Sequence, residues 1–405
     1  MAEMNSALLR NLLITTKDGD WGKGEPVDGH TPVHVIRGTD FSDVRAGKSE
    51  SVPLRYLSDK TIGRRTLEPN DILIETAGGS RDRPTGRTLL ITQNILNLFF
   101  GPVTCASFAR FLRVNPKLAN PGYVYWYLQN LYNSGGMWVH QIQHTGVARF
   151  QYTRFAETEE IPLPSIYQQE AVTAVLGALD DKITVNERIA ATSDELLMAS
   201  FAGALSAFSE RFNEKPLSQV AEFVNGRAFT KDATGRGRMV IRIAEINSGP
   251  GPSTVYNEID VPDRHLARPG DVLFAWSGSL TVARWYRPEA IINQHIFKVI
   301  PKTGTPLWLA FELVRLKLTE FRGIAADKAT TMGHIQRRHL DEPVQVPTAE
   351  LLSLLDAKLG PLWGRALAAE QESLLLAALR DTLLPQLMSG RLRVRDAERI
   401  VEDAL

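Results

Sequence analysis

Two acidic residues lie at a spacing that could hold a metal ion in a nuclease. They are Asp71 and Glu75 in the segment PNDILIETAGG, where an apolar strand would carry both carboxylates. A nuclease site of this kind also needs a lysine two residues after the glutamate, and Ala77 stands there. A second copy of the segment, PGDVLFAWSGS, keeps Asp271 but has no glutamate. The pattern therefore predicts the turn that opens a strand rather than a metal site.

Other catalytic motifs are missing from the sequence. An amino-methyltransferase would need an Asn/Asp-Pro-Pro-aromatic loop, and no Pro-Pro pair occurs. A motor would need the phosphate-binding pattern G-x-x-x-x-G-K-[ST], which is also missing. Ser277 does not lie in a nucleophile elbow, and His144, His295 and His334 are predicted to be loop or partly buried polar residues. We therefore expect no catalytic residue, no metal site and no cofactor in this chain.

Basic and amide side chains occur in segments that could instead bind nucleic acid. The segment GRAFTKDATGRGRMVIR (226–242) holds five basic residues against one acid, interleaved with glycine. Such a loop can bring backbone amides and guanidinium groups close to phosphates. Arginine pairs well with the O6/N7 edge of guanine and glutamine with adenine. Four side chains are therefore predicted to read bases, namely Arg149, Gln151, Gln336 and Arg337.

The complete set of candidate DNA-binding residues comes from both halves of the chain. It consists of Arg81, Arg83, Arg87, Arg149, Gln151, Arg154, Arg227, Lys231, Arg236, Arg238, Lys328, Gln336, Arg337 and Arg338. Solvated surface charge is the alternative for any one of them. The aromatic residues of GYVYWYLQNLY are more typical of a helix core than of a base-stacking surface.

The elements that would position these residues occur twice. RRTLEPNDILIETAGGS (64–80) matches DRHLARPGDVLFAWSGS (263–279), and VHVIRGTDFSD upstream of the first pairs with RMVIRIAEINS upstream of the second. Each half continues with a Pro-initiated helix and an extended segment that ends in proline. Short strands, Gly- and Pro-rich turns and few helices indicate a mixed α/β (α+β) fold. We expect two similar globular domains, at 1–164 and 213–347.

A helical segment follows each predicted domain, at 165–212 and 348–405. Both segments show the 4-3 alternation of a coiled-coil seam. The first seam is Val172, Leu176, Leu179, Ile183, Asn186, Ala190, Ser193 and Leu197, and the second is Leu352, Leu355, Leu359, Leu362, Ala366, Ala369, Ser373 and Leu376. The helices are predicted to pair antiparallel and to hold the domains apart, with Asn186 fixing the register. The alternatives are two unrelated amphipathic helices and a solvated Asn186, and Gly360-Pro361 is expected to kink or break the second helix.

The composition fits this organisation. The chain of 405 residues is 43% hydrophobic and 23% charged, as expected for two or three globular domains. Lys plus Arg and Asp plus Glu number 46 each, so a nucleic-acid partner would have to be bound by local basic patches. Cys105 is the only cysteine, which excludes an intramolecular disulfide. We see neither a signal peptide nor an apolar run of about 18 residues, and expect a cytoplasmic protein without a membrane span.

The segments, in this order, resemble the specificity subunits of type I restriction–modification systems. IPLPSIYQQEAVTAVLGALDDKITVNERIAATSDELLMASF resembles that family's central conserved region, and LLPQLMSGRLRV (383–394) the end of its C-terminal conserved region. Two further segments resemble motifs of the family's target-recognition domains, namely RPGDVLFAWSGS and TTMGHIQRRHL. The resemblance therefore covers nearly the whole chain. Two departures are visible. LDDKI has no counterpart in the second helix, and Asn70 replaces the glycine of the second half, which predicts a small change in turn geometry.

The resemblance implies a non-catalytic subunit that recognises double-stranded DNA. Each globular domain would read one half of a split, asymmetric site, and the helices would set the gap and dock two methyltransferase subunits. S-adenosylmethionine would be bound by that partner, and motor-nuclease subunits would join the assembly. Two other classes remain open, a stand-alone coiled-coil DNA-binding regulator and a protein-binding adaptor. The repeat within one chain is evidence against the regulator, and the basic, Gly-rich loops are evidence against the adaptor.

Overall fold

The computed structural model describes residues 5–79, 83–144, 147–327 and 333–403. The chain forms two compact units, which we call unit 1 (Met1–Arg188 with Leu375–Leu405) and unit 2 (Ile189–Leu374). Each unit thus combines one globular part with portions of two long helices. The division into four segments at 164, 212 and 347 stays a prediction.

The strands of unit 1 are β1 (Asn5–Leu8), β2 (Leu13–Asp18), β3 (His30–Ile36), β4 (Leu54–Ser58), β5 (Ile72–Glu75), β6 (Ala77–Gly79), β7 (Thr88–Leu90), β8 (Val103–Cys105), β9 (Ala109–Val114), β10 (Gln141–His144), β11 (Val147–Phe150) and β12 (Glu160–Leu163). Its helices are α1 (Phe41–Arg45), α2 (Asp59–Arg65), α3 (Gln93–Leu96), α4 (Pro121–Asn133) and α5 (Tyr152–Thr158). The long helix α6 (Ile166–Ala207) begins in unit 1 and ends in unit 2.

A four-stranded antiparallel sheet with the order β2-β9-β5-β7 is the centre of unit 1. Smaller sheets have the orders β4-β3-β8, with β3 and β8 parallel, and β10-β11-β6. Strand β5 is buried on both faces, because Ile72 and Ile74 join the apolar core that includes α4 and α6, whereas Leu73 joins a second core on the other face. The aromatic residues Tyr123 and Trp126 of α4 are buried in the first core, as predicted.

The strands of unit 2 are β13 (Phe212–Pro216), β14 (Ala221–Asn225), β15 (Arg238–Ile241), β16 (Val255–Asn257), β17 (Leu266–Ala267), β18 (Val272–Ala275), β19 (Thr281–Arg284), β20 (Ala290–Ile292), β21 (Ile296–Pro301) and β22 (Pro343–Pro347). Its helices are α7 (Leu217–Val220), α8 (Ile243–Ser248) and α9 (Leu307–Asp327). The second long helix, α10 (Ala349–Met388), returns the chain to unit 1, where α11 (Val394–Glu402) follows.

The two units repeat one topology. The central sheet of unit 2 has the order β14-β21-β18-β19, which corresponds strand for strand to that of unit 1. The parallel pair β3–β8 recurs as β15–β20, and the antiparallel pair β1–β12 recurs as β13–β22. The mixed α/β fold and the internal repeat expected from the sequence are confirmed.

The turn that opens β5 is the same as the turn that opens β18. Asn70 and Gly270 have φ angles of 73° and 95°, both in the left-handed region. Asp71 then accepts the Glu68 N–H at 2.8 Å, and Asp271 accepts the Arg268 N–H at 2.7 Å. The two turns keep the same hydrogen bond and differ by 22° in φ (95° minus 73°), because asparagine tolerates this backbone conformation better than most residues.

The long helices pair antiparallel, as the heptad pattern predicts. Within unit 1, Arg380 of α10 donates to Asp180 of α6 at 2.7 Å. Within unit 2, Ala190 of α6 packs with Ala366 and Ala369 of α10. Residues later in α6 thus contact residues earlier in α10, which is the order of an antiparallel pair.

The predicted seam is the buried face of both helices. The α6 residues Val172, Leu176, Leu179, Ile183, Asn186, Ala190, Ser193 and Leu197 are all buried. In α10, the buried seam residues are Leu355, Leu359, Ala366, Ala369 and Leu376, whereas Leu352, Leu362 and Ser373 are half-buried. Asn186 is only 1% exposed, so the alternative of a solvated side chain is wrong.

Helix α10 continues through Gly360 and Pro361, so the expectation of a break is wrong, whereas the alternative of a kink stays a prediction. Proline removes one backbone donor and leaves the carbonyl of residue 357 without its helical partner. Pro361 and Ala357 are both exposed, so water can reach that carbonyl. Leu359 and Trp363 are buried in the core of unit 2, and this packing holds the helix together across the proline.

One buried arginine joins the central sheet of unit 2 to both long helices. Arg284, at the end of β19, is only 6% exposed. Its guanidinium donates to Asp194 of α6 at 3.0 Å and to Glu370 of α10 at 2.8 Å. It also lies over the ring of Trp363, 4.5 Å from the centroid. Burial raises the pKa of Glu370 despite this pairing, so the cation is needed to keep the carboxylate charged.

Replacing Arg284 by methionine is expected to lower the free energy of unfolding by about 3–5 kcal/mol, since two carboxylates lose their buried cation. A carboxyl group whose pKa is raised by folding stabilises the folded state at low pH and loses that contribution as the pH rises through its folded pKa. The pKa of Glu370 is already raised, and it would rise further without Arg284. The deficit should therefore be smaller at about pH 5 than at about pH 8.

Urea unfolding of both proteins at the two pH values measures this deficit. Arg268→Met is the matched control, because Arg268 also pairs with two carboxylates but its side chain is 50% exposed, against 3% for Arg284. It should leave the stability unchanged. An equal loss for both variants, or a loss independent of pH, would contradict the role given to Arg284.

Candidate nucleic-acid interface

Several predicted DNA-binding residues of unit 1 meet at one end of its central sheet. The end of β2, the start of β9 and the segment after β11 line an open groove of about 590 Å³, which we call groove 1. Its lining includes Asp18, Thr76, Arg110, Gln151 and Arg154. Gln151 and Arg154 were predicted from the sequence, and the fold brings them beside residues that are distant in the chain.

Groove 1 contains one ion pair and two polar side chains that form no hydrogen bond within the described ranges. Arg110 donates to both carboxylate oxygens of Asp18, at 2.9 and 2.7 Å, and lies over the ring of Tyr152 at 4.3 Å from the centroid. Gln151 is held through its backbone, whose N–H donates to the His140 carbonyl at 2.7 Å. Within the described ranges, the side chains of Gln151 and Arg154 have no hydrogen-bond partner, so they remain available to a ligand.

Two further candidates of unit 1 border this sheet end. Arg149 lies in β11, is exposed, and pairs with Ala77 of β6. Arg83 is exposed and donates to the Gly78 carbonyl at 3.0 Å. Both can reach an anion without breaking an ion pair.

Arg87 differs from the other candidates of unit 1, because it is held by a buried carboxylate. It donates to Glu75 at 2.6 and 3.0 Å and to the Gly38 carbonyl at 2.8 Å. Glu75 is only 2% exposed and depends on this cation. We therefore infer that Arg87 stabilises the fold and does not contact DNA.

Asp71 and Glu75, the acidic pair in PNDILIETAGG, also form ion pairs that stabilise the fold. Asp71 receives two hydrogen bonds from Arg113, both at 2.8 Å, and Glu75 is bound by Arg87. Across the described ranges, no group of three or more metal-ligating side chains is present.

The same ranges contain no helix with both the length and the apolar character that crossing a membrane requires.

Unit 2 has a groove along the edge strand β14, which extends past the end of that strand to Arg227. This groove 2, of about 390 Å³, is lined by Asn225, Arg227, Arg264, His265 and Arg337, among others. Arg227 and Arg337 were predicted from the sequence, and Arg337 donates to the Phe223 carbonyl at 3.2 Å. Burial and the nearby Arg227 and Arg264 lower the pKa of His265. The lowered pKa favours the neutral form of His265. Glu222 also lines groove 2 and pairs with Arg264, so the uncompensated positive charge of the groove comes from Arg227 and Arg337.

Gln151 and Gln336 occupy equivalent positions in the two units. The residue before Gln151, Phe150, donates its N–H to the Thr76 carbonyl at 2.9 Å, and Ile335 before Gln336 donates to the Trp276 carbonyl at 3.2 Å. Thr76 and Trp276 each follow the matching strand of the central sheet. Gln336 is exposed, as are Arg337 and Arg338, the first two residues of the short 3-10 helix that follows.

The remaining candidates lie outside the grooves or outside the described residues. Lys231 and Arg236 are exposed in the loop between β14 and β15, and Arg338 is exposed after Gln336. Arg238 donates to Glu289 at 3.1 Å and to the Ile259 carbonyl at 3.3 Å, so we no longer count it among the candidate DNA-binding residues. Arg81 and Lys328 are not among the described residues.

Four residues at these sheet ends were not predicted from the sequence to bind DNA, namely Arg110, Phe108, Trp276 and His295. Arg110 alternates with buried residues in β9 and reads as an ordinary outward-facing strand residue. Phe108 lies in SFAR and His295 in QHIF, and the different loop lengths of the two halves obscure their equivalence. The one signal in the sequence that could have indicated these residues is an aromatic residue in a short segment between two predicted strands.

Comparisons with known proteins identify the fold. No family model matches the sequence, and no curated protein does. Among solved structures, the S subunit of the type I restriction-modification system from M. genitalium matches with a TM-score of 0.57 and 14% identity, over 96% of this chain and 97% of that chain. This chain therefore has the fold of a type I restriction–modification S subunit, as the resemblance implied.

Two other solved chains of this kind cover the protein almost completely. The HsdS subunit from Thermoanaerobacter tengcongensis is 17% identical, with a TM-score of 0.36, over 97% of this chain and 98% of its own. A chain from a structure of type I R-M complex assembly and conformational transition is 17% identical, with a TM-score of 0.38, over 97% and 99%.

The different roles of Arg87 and Arg83 can be tested by substitution. Arg87→Ala should lower the free energy of unfolding by about 3–5 kcal/mol, because Glu75 would stay buried without its cation. Arg83→Ala should change it by about 0.5 kcal/mol or less, because the side chain is exposed. Urea unfolding of the full chain measures both. A stable Arg87→Ala protein that has lost only DNA affinity would place Arg87 in the interface instead.

Proposed function

We propose that this chain is the sequence-specific DNA-recognition subunit of a type I restriction–modification enzyme. The observation that carries the proposal is that a groove with arginines reaches the end of the first strand of the central sheet in both units. The equivalent glutamines are Gln151, which lines groove 1, and Gln336, which precedes Arg337 of groove 2. A polar, partly cationic groove of this kind suits base edges and phosphates. In this proposal unit 1 reads one half of a bipartite site and unit 2 reads the other.

The two grooves differ in chemistry, which favours an asymmetric site. Groove 1 has Asp18 beside Arg110, whereas groove 2 has Asn225 and Arg227 at its sheet end. Asp18 is bound by Arg110 and Asn225 by Trp276. The side chains that remain for bases are therefore Gln151 and Arg154 in groove 1 and Arg227 in groove 2. An amide pairs with adenine and an arginine with guanine. Two halves with different sequences are therefore expected, and not a palindrome.

The chain would supply recognition, and its partners the chemistry. We infer that two methyltransferase subunits, which bind S-adenosylmethionine, dock on the outward faces of α6 and α10, and that motor-nuclease subunits join them in the cytoplasm. These helix faces expose large apolar side chains, including Val185, Leu196, Leu354 and Leu375. LDDKI occurs in α6 alone, so the docking surfaces are unequal. The fold resemblance favours this assembly over a stand-alone regulator or an adaptor.

The function can be tested by selecting duplexes from a random pool with the full chain, alone and co-purified with a methyltransferase encoded beside it. The expected result is enrichment of two different short sequences separated by a fixed gap. A single palindrome would support the regulator. Absence of any enriched sequence, with or without the methyltransferase, would contradict DNA recognition altogether.

Base-reading and phosphate-binding residues should behave differently on the selected duplex. Arg149→Ala, Gln151→Ala or Arg337→Ala should each cost about 1–3 kcal/mol of binding and relax one position in one half-site. Lys231→Ala is the matched comparison, because an exposed lysine that binds phosphate should weaken all sequences evenly and lower the salt slope by about 1. Repeated selection with each variant measures both effects. Even weakening by all four variants would contradict the assignment of base readers.

The helix pair can be tested as the spacer that sets the gap. The boundary between units falls after Arg188 in α6 and after Leu374 in α10. Inserting one heptad at both points would keep the seam pattern and lengthen each helix by about 10 Å. The preferred gap should grow by about three base pairs, at about 3.4 Å per base pair, with unchanged half-sequences.

Selection from the random pool again gives the readout for the heptad insertions. The control carries seven added residues in the exposed loop that contains Lys231, where no helix is lengthened, and it should keep the original gap. An unchanged gap in the heptad variant would mean that the helices are not the spacer. A changed half-sequence would mean that they take part in reading bases.

A further inference from the structure

A tight turn between β8 and β9 carries an exposed aromatic residue at the rim of groove 1. The Ala109 N–H donates to the Ala106 carbonyl at 2.8 Å and closes the turn, and Phe108 within it is 64% exposed. The Phe108 carbonyl accepts the N–H of Thr76 at 2.8 Å. Thr76 and Arg110 both line groove 1, so the backbone of Phe108 lies beside the groove and its exposed ring is within the same surface region.

The end of β2 supports this turn closely. The Gly19 N–H donates to the Ala109 carbonyl, and the Asp20 N–H to the Cys105 carbonyl, both at 2.9 Å. A Cβ atom on Gly19 would lie 1.9 Å from the Cys105 carbonyl oxygen, so only glycine allows this approach. The phenyl ring of Phe108 is therefore presented on a fixed backbone, and it loses little conformational freedom when it meets a ligand.

Unit 2 repeats the turn with another ring at its tip. The Ile296 N–H donates to the Asn293 carbonyl, and the Trp276 N–H to the His295 carbonyl, both at 3.2 Å. His295 thus takes the place of Phe108, and Trp276 that of Thr76. The rings of His295 and Trp276 are 5.5 Å apart, so Trp276 contacts the tip residue. Unit 1 has a threonine there, and within the described ranges Phe108 has no ring partner.

The surroundings of Phe108 indicate what its ring would contact. The groove beside it carries Arg110, Gln151 and Arg154. A ligand that meets both these polar groups and an apolar ring must offer charge and a stacking face together. Duplex DNA does so through its phosphates and its bases, and apolar wedges such as phenylalanine are used to part base steps.

We propose that Phe108 inserts against one base step of the half-site bound by unit 1 and partly unstacks it. This inference rests on the proposed function and names a specificity determinant within it. Unstacking is easiest at flexible pyrimidine–purine steps. Phe108 would therefore select the step by its deformability, at a position where no side chain forms a hydrogen bond to a base edge.

The test uses the full chain and the duplex enriched from the random pool, with 2-aminopurine placed at successive positions of the half-site. Wild-type protein should raise the fluorescence at one step. Phe108→Ala should abolish that rise, weaken binding about 5- to 100-fold, and relax the sequence preference at that step with an unchanged salt slope. Phe108→Trp should keep the fluorescence rise.

The matched control is Phe100→Ala. Phe100 is a fully exposed phenylalanine of the same unit, in the loop before β8 and outside groove 1. It should bind and unstack the duplex like wild type. Unchanged affinity and fluorescence for Phe108→Ala would overturn the wedge while leaving sequence recognition intact, and so would an equal loss in both alanine variants. If the wild-type chain enriches no sequence, the recognition function fails and the wedge fails with it.

Discussion

The buried contact between the two long helices is the interaction on which the structure depends. Helix α6 carries the chain out of unit 1 and α10 returns it, so each globular part packs on portions of both helices. The seam is apolar except at a few positions, and Asn186 is one of them. Burying such a polar group limits the registers in which the helices can pair, since a shift would leave it without its native surroundings.

Each unit is tied to the helices by a cluster of charged side chains. In unit 1, Arg45 of α1 and Arg380 of α10 both donate to Asp180 of α6. In unit 2, Arg284 holds Asp194 and Glu370. Apolar packing alone has little directional preference, whereas a buried arginine bound by carboxylates on two helices requires one arrangement of sheet and helices. Within each unit, the sheet is thereby held in one position relative to the helix segments of that unit.

The sheet ends combine a constant backbone with variable side chains. Three hydrogen bonds of the turn beside each groove recur in both units, and so does a closely packed glycine, Gly19 in one unit and Gly226 in the other. The residues facing each groove are different, as Asp18 and Asn225 illustrate. Binding preference can therefore change through these side chains while the core keeps its packing.

The features that could be predicted from the sequence are those that follow from local periodicity and turn chemistry. The heptads gave the buried faces of α6 and α10, and the matching phrases around Asp71 and Asp271 revealed the repeat. The continuity of α10 across Pro361 could not be predicted, because tertiary packing of Leu359 and Trp363 outweighs the loss of one backbone hydrogen bond.

The candidate site was predicted only in part. Gln151, Arg227 and Arg337 were selected by residue type and lie in the grooves. Arg87 and Arg238 have the same residue type, but each is bound by a glutamate that is distant in sequence. Nothing local distinguishes an arginine that supports the fold from one that is free for a ligand. Phe108 was missed for the same reason, since its position at the rim of groove 1 depends on contacts with β2 and Thr76.

The most direct test of the account is hydrogen exchange of the full chain with and without the selected duplex. Binding at the two grooves should slow amide exchange in both units, around Gly19, Phe108 and Gln151 in the first and around Gly226, His295 and Gln336 in the second. Exchange in the buried centres of the long helices should stay unchanged. Protection confined to α6 and α10, or to one unit only, would contradict the claim that two equivalent sheet ends read the DNA.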